Sequence, residues 1–99
     1  MYGRLTTFPL RPGNRESAEE IARRFAARLE EQPGHRSTTF YVTEDGAELG
    51  SFTLWETREQ AEAVTGTVRS NAEEELRDLL HGPPTTALLD VFFHDARMM

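Results

Sequence analysis

The sequence has no cysteine, and all eleven of its basic residues are arginine. Without cysteine there are no disulfides, no thiolate nucleophile and no cysteine-ligated zinc or iron–sulfur cluster. Without lysine there is no Schiff-base chemistry through an ε-amine. No apolar run approaches the roughly 18 residues that mark a membrane span, and no charged-then-apolar leader opens the chain. A cytoplasmic protein is therefore the expectation. A surplus of positive charge is missing too. The net charge of −6 argues against nucleic acid, which requires a basic face to neutralise phosphates, and against an anionic membrane surface. There is no glycine-rich phosphate loop and no dinucleotide fingerprint.

What is present is one 99-residue domain, read as 1–99, with 37% hydrophobic residues and a mean hydropathy of −0.59. Tyr2 to Leu10 reads as a first strand, closed by Pro9 and the Arg11-Pro12-Gly13-Asn14 turn. Ser17 with Glu20 forms a capping-box pattern, and Ala18, Ile21, Ala22, Phe25, Ala26 and Leu29 follow on one helical stripe. Glu19–Arg23 and Glu20–Arg24 are expected ion pairs on its wet side. Gln32-Pro33-Gly34 stops this helix, and His35 to Thr43 reads as the second strand. Asp45-Gly46 is a type I′ hairpin signal. It sets Phe40 opposite Ser51, Val42 opposite Leu49 and Thr39 opposite Phe52.

The third strand ends at Trp55, where the period of two gives way to a helical one. Thr57 with Gln60 is a second capping box. Ala61, Val64, Val68, Ala72, Leu76 and Leu79 then carry one stripe from Thr57 to about His81, and Gly66 and Ser70-Asn71 interrupt propensity but not phase, so one bent helix or two consecutive ones are expected. Gly82-Pro83-Pro84 stops it. A fourth strand from Thr85 to His94 and a loose tail from Ala96 complete the order β-α-β-β-α-β. That order is the α+β, ferredoxin-like arrangement, a four-stranded antiparallel sheet with both helices on one face.

The strands are apolar front and back. Tyr41, Phe52 and Leu54 point one way; Phe40, Val42, Leu49 and Trp55 point the other; the fourth strand has Leu88, Leu89, Val91, Phe92 and Phe93 on both sides. Two helices cover one face only, and leaving the other bare forgoes roughly 1.5–3 kcal/mol per large side chain. A homodimer with its sheets packed face to face into a shared α+β barrel is the expected remedy.

The element order, the Arg11-Pro12-Gly13 turn and the run Ser51-Phe-Thr-Leu-Trp-Glu-Thr-Arg-Glu-Gln-Ala61 together resemble the antibiotic-biosynthesis-monooxygenase group of the dimeric α+β barrel superfamily. The resemblance implies cofactor-independent oxygenation of a small electron-rich aromatic to a quinone, with no metal and no organic cofactor, in a pocket between sheet and second helix. The third-strand tryptophan of that group corresponds to Trp55. An asparagine four residues before it is Ser51 here, and a tyrosine six residues after it is Ala61. Haem-degrading relatives carry an asparagine, a tryptophan and a histidine ligand where this chain has Thr6, Val64 and the acidic run Glu73 to Glu75.

In the enzyme reading Trp55 holds the aromatic ring. Ser51 and Thr53 bond its oxygens, Thr38, Phe40, Val64 and Val68 complete the substrate contacts, and His81 serves as the base. The alternative is a non-catalytic small-molecule-binding or structural homodimer. His35 and His94, at strand ends, read as solvated, and the three histidines lack metal-ligand spacing. Asp90 interrupts the fourth strand and would need Arg4 as a partner if buried.

Overall fold

In the computed structural model, which describes residues 1–63 and 74–95, the chain forms strand β1 (Tyr2–Pro9), helix α1 (Arg15–Glu30), strands β2 (His35–Val42) and β3 (Glu48–Trp55), helix α2 (Arg58–Ala63), and strand β4 (Thr85–Asp90). Residues 74–76 are helical and run into a 3₁₀ turn at Arg77–Leu79. The sheet order is β2-β3-β1-β4 with every neighbour antiparallel, the ferredoxin-like topology. The middle of the expected second helical stretch, with Val64 and Val68, lies outside the described residues.

Strand alternation assigns the faces. On β1, Arg4, Thr6 and Phe8 are buried on the helix-covered side. Phe8 and Leu49 pair across strands and join Ala18, Ile21, Ala22 and Phe25 of α1, together with Leu76 and Leu80, in the main core. A second cluster of Leu29, Trp55 and Ala61 closes the other end of the same face. Both helices thus cover the side that carries Phe40, Val42, Leu49 and Trp55.

The opposite side is flattened by two aromatic rings lying over glycines. The Phe52 ring would stand 2.8 Å from a Cβ on Gly3, and the Tyr41 ring occupies the space a Cβ on Gly50 would need. Leu5, Phe52 and Val91 are only half-buried there, and Leu89 is 39% exposed.

Several local expectations are corrected. Helix α1 begins at Arg15, so Ser17 lies within its first turn; the N-cap is Asn14, whose carbonyl accepts the Ala18 N–H at 3.0 Å. Gly13, at φ +82°, swings the chain into the helix two residues before the Ser17 pattern could act. Among the described residues, the ion pairs of α1 are Arg15–Glu19 at 3.8 Å and Arg24–Glu75 at 3.7 Å, and Glu19–Arg23 and Glu20–Arg24 do not pair. Strand β4 stops at Asp90, not His94, because Asp90 already faces Tyr2, the first residue of β1. Phe92 and Phe93 beyond it are exposed.

The hairpin keeps its expected register, with Val42 opposite Leu49, but not its expected turn. Asp45 has no positive φ, as type I′ requires; Gly46 alone does, and its N–H donates to the Thr43 carbonyl at 2.8 Å. The Asp45 carboxylate accepts from the Ala47 N–H at 3.0 Å and the Thr43 hydroxyl at 2.7 Å. Those donors hold the Asp45 carboxyl below its ordinary value. A depressed folded-state pKa contributes stability above the unfolded-state value, and that contribution is lost as pH falls through the folded one. Carbon-detected NMR titration should place the Asp45 midpoint below the ordinary aspartate value, and Thr43→Val should raise it.

Candidate functional site

The helix-covered face is mostly apolar, yet Arg4, Thr6 and Thr53 are buried on it. They are contiguous: Arg4 faces Thr53 across β1–β3, and Thr6 faces Ser51. Burying such groups costs free energy unless each is hydrogen-bonded. The Arg4 Nη1 donates to the Ala61 carbonyl at 3.1 Å, tying β1 to the first turns of α2. The Thr6 and Thr86 hydroxyls meet at 3.4 Å. The Thr53 hydroxyl accepts from the Trp55 indole Nε1 at 2.8 Å and donates to the Arg4 carbonyl at 3.5 Å. Ser51, half-buried in the middle of this strip, makes no side-chain hydrogen bond among the described residues and keeps its hydroxyl available.

Trp55 is wholly buried. Leu29, Ala61, Tyr2 and Phe40 pack around it, and the His35 ring stands edge-on at 5.4 Å and 81°. The indole is therefore a sealed anchor that orients Thr53, not an open stacking surface of the kind the enzyme reading assigns to it. It is seated by the strand-to-helix junction. The Thr57–Gln60 capping box forms as its spacing predicts, with Gln60 N–H to Thr57 Oγ1 at 3.2 Å and Thr57 N–H to Gln60 Oε1 at 3.1 Å.

Of the other candidates, Ser51, Thr53, Thr38 and Phe40 share this face with Trp55, as the cross-strand pairs Thr38–Thr53 and Phe40–Ser51 show. Val64 and Val68 lie outside the described residues. His81 is exposed, and its N–H donates to the Pro9 carbonyl at 3.1 Å. Pro9 is seven residues along β1 from Tyr2, the residue opposite Trp55, a distance of about 23 Å. Within one chain His81 therefore does not reach the Trp55 end of the sheet. Asp90 is exposed opposite Tyr2, so it needs no buried partner.

Two further residues stand beside this strip. Arg4 is a cation buried on the covered face. His35, read as solvated, is half-buried and bonds through Nε2 to the Thr38 hydroxyl at 2.5 Å. Lone pattern gave little sign of either, although an arginine amid the residues of a covered strand face is a charge in an apolar environment and marks a candidate site.

A cavity of about 480 Å³ opens between α1 and β2, lined by Ala22, Ala26, Phe40, Val42 and Leu49 with Arg15, Glu19 and Arg23 at its rim. A smaller one, about 320 Å³, lies between Gln32-Pro33 and Gln60 and Ala63 at the His35 end. Among the described residues no three His, Asp or Glu side chains converge in a way that could hold a metal ion. No described helix is long and apolar enough to cross a membrane.

The family model for antibiotic biosynthesis monooxygenase matches residues 1–75. Among proteins of curated function none matches in sequence. Similar solved structures include Rv0793 from Mycobacterium tuberculosis, 20% identical, with 96% of this chain and 98% of that one covered at a TM-score of 0.78. Another is a monooxygenase from the gene ActVA-Orf6 of Streptomyces coelicolor in complex with nanaomycin D, 24% identical, covering 98% and 92% at a TM-score of 0.76. A third is a variant of SnoaB, a cofactor-independent oxygenase from Streptomyces nogalater, 18% identical, covering 94% of each chain at 0.76. At such identities these structures establish the shared fold, while the family match spans three quarters of the sequence. This chain belongs to the antibiotic biosynthesis monooxygenase family.

Proposed function

We propose that the protein is a cofactor-independent monooxygenase acting on a small electron-rich aromatic and forming a quinone. The supporting observation is the buried polar strip of Arg4, Thr6 and Thr53 beside the half-buried Ser51 hydroxyl, on the sheet face under α2. In such chemistry the substrate itself reduces dioxygen. An anthrone is oxidised to the anthraquinone, one oxygen atom entering the ring and the other leaving as water. The protein's task is to favour the substrate anion. A buried guanidinium acts on developing negative charge far more strongly than one in water. Arg4 supplies that field, Ser51 donates to the substrate oxygen, and Thr53, held by Trp55, forms the polar wall behind it.

The test is anthrone or a naphthohydroquinone incubated with the protein in air and under nitrogen. Quinone absorbance should grow in air only, and Ser51→Ala should slow it about tenfold, the loss of one hydrogen bond to a charged oxygen. The sealed packing of Trp55 favours a second reading, a non-catalytic binder. Saturable quenching of Trp55 emission with no turnover above buffer would select it.

The same reading includes a homodimer. The half-exposed face of Leu5, Tyr41, Phe52, Leu89 and Val91 is flat and apolar, suited to packing on its own copy. Sedimentation equilibrium at micromolar concentration should give twice the chain mass of 11.3 kDa. Leu89→Glu should give single chains; a single-chain mass for the unaltered protein would remove the dimer.

A further inference from the structure

We propose that His35 is the proton acceptor of this site, taking the substrate's proton through the Thr38 hydroxyl; the proposal rests on the monooxygenase reading above. Alternation along β2 would place His35 and Thr38 on opposite faces, since they stand three residues apart. They meet because β2 carries a bulge between His35 and Ser37: Thr38 pairs with Thr53 and Ser37 with Leu54, but His35 pairs with Trp55, leaving Arg36 as the extra residue. The bulge turns the imidazole onto the helix-covered face, edge-on to Trp55 and bonded to Thr38. Bulges of this kind re-aim side chains and are over-represented beside active sites.

The Thr38 hydroxyl bonds His35, and Thr38 stands across the sheet from Thr53, whose hydroxyl Trp55 fixes. His35 and Thr38 are both half-buried, so the pair is neither sealed like Trp55 nor fully solvated. The substrate O–H bond (C–H in an anthrone) breaks and its electron pair stays on the substrate. The proton joins Thr38 Oγ1 as the Thr38 hydroxyl proton passes to His35 Nε2. The substrate anion is then the electron donor to dioxygen. Nε2 must enter the step unprotonated, with the ring hydrogen on Nδ1.

The elements meeting His35 also bring Arg28 and Glu31 from the end of α1, the Arg36–Glu56 ion pair at 2.6 Å, and Glu59 with the Arg58–Glu62 pair from α2. All of these are exposed, and none is hydrogen-bonded to Thr38 or Thr53.

The experiment measures anthrone oxidation in air across pH for the full chain and for His35→Gln, Thr38→Val and Thr38→Ser. His35→Gln should lower kcat about 10²- to 10³-fold, the usual contribution of a positioned base, with KM within about twofold, and should erase the acid limb of the pH profile. Thr38→Val should also lose rate, and Thr38→Ser, which restores the hydroxyl, should recover most of it. A His35→Gln protein with unaltered kcat and acid limb, or equal losses in both Thr38 variants, would overturn the assignment. Absence of oxygen-dependent turnover in the unaltered protein would instead sink the monooxygenase reading and this proposal with it.

Discussion

Trp55→Ala is expected to lower the unfolding free energy by about 3–5 kcal/mol, the range for truncating a buried large aromatic. For a chain of this length that is a fall in melting midpoint of roughly 12 °C or more. Two costs combine. The indole is wholly buried between Leu29 of α1, Ala61 of α2 and Tyr2 of β1, so its removal leaves a cavity shared by three elements. Its N–H is also the donor to Thr53, which sits next to the buried Arg4. Trp55→Phe separates these costs: it keeps most of the packing and loses the donor, so it should cost only about 1–2 kcal/mol. Thermal and urea unfolding would check both values. A Trp55→Ala protein within 1 kcal/mol of the parent would mean that the indole is not the anchor described.

The second large effect is expected at Gly34. Gly34 has φ +79°, and a Cβ there would fall on the Gln60 carboxamide. Its carbonyl also accepts the Glu56 N–H at 2.9 Å, holding the end of β3. Gly34→Ala therefore combines left-handed backbone strain of about 1–2 kcal/mol with displacement of the capping-box residue, worth about 1 kcal/mol more. Gly13 and Gly46 are the controls: their φ angles are +82° and +74°, with nothing within 4 Å of a built Cβ. Gly13→Ala and Gly46→Ala should show the strain alone. Adding Gln60→Ala to Gly34→Ala should cost less than Gln60→Ala costs by itself, since the cap is already displaced. Equal losses at all three glycines would show that Gln60 does not fill the space beside Gly34.

The register of the hairpin, the stripe of α1 and the Thr57–Gln60 cap were legible because each depends on residues close in sequence. The observed turn is centred on the same Asp45-Gly46 pair as a two-residue turn would be, so Phe40 still faces Ser51 even though no type I′ turn forms. The family resemblance was legible for a related reason: the Ser51–Ala61 run spans the sheet-to-helix junction that the fold reuses. The Ser17–Glu20 pattern does not act as a cap because Gly13 has already turned the chain and the helix has begun at Arg15.

The candidate site was only half legible. Ser51, Thr53, Thr38 and Phe40 could be placed beside Trp55 by alternation alone. The sealing of Trp55, the attachment of Arg4 to Ala61 and the placement of His81 near Pro9 could not, since each joins residues tens of positions apart.

By itself, then, the order of residues determined the elements, their faces and the two-sided apolar sheet, because hydrophobic periodicity and caps are local properties of the chain. Only the folded molecule decided which histidine lies beside Trp55. One extra residue in β2 reverses the side-chain phase, and no count of apolar positions reveals a bulge until β3 is laid against it.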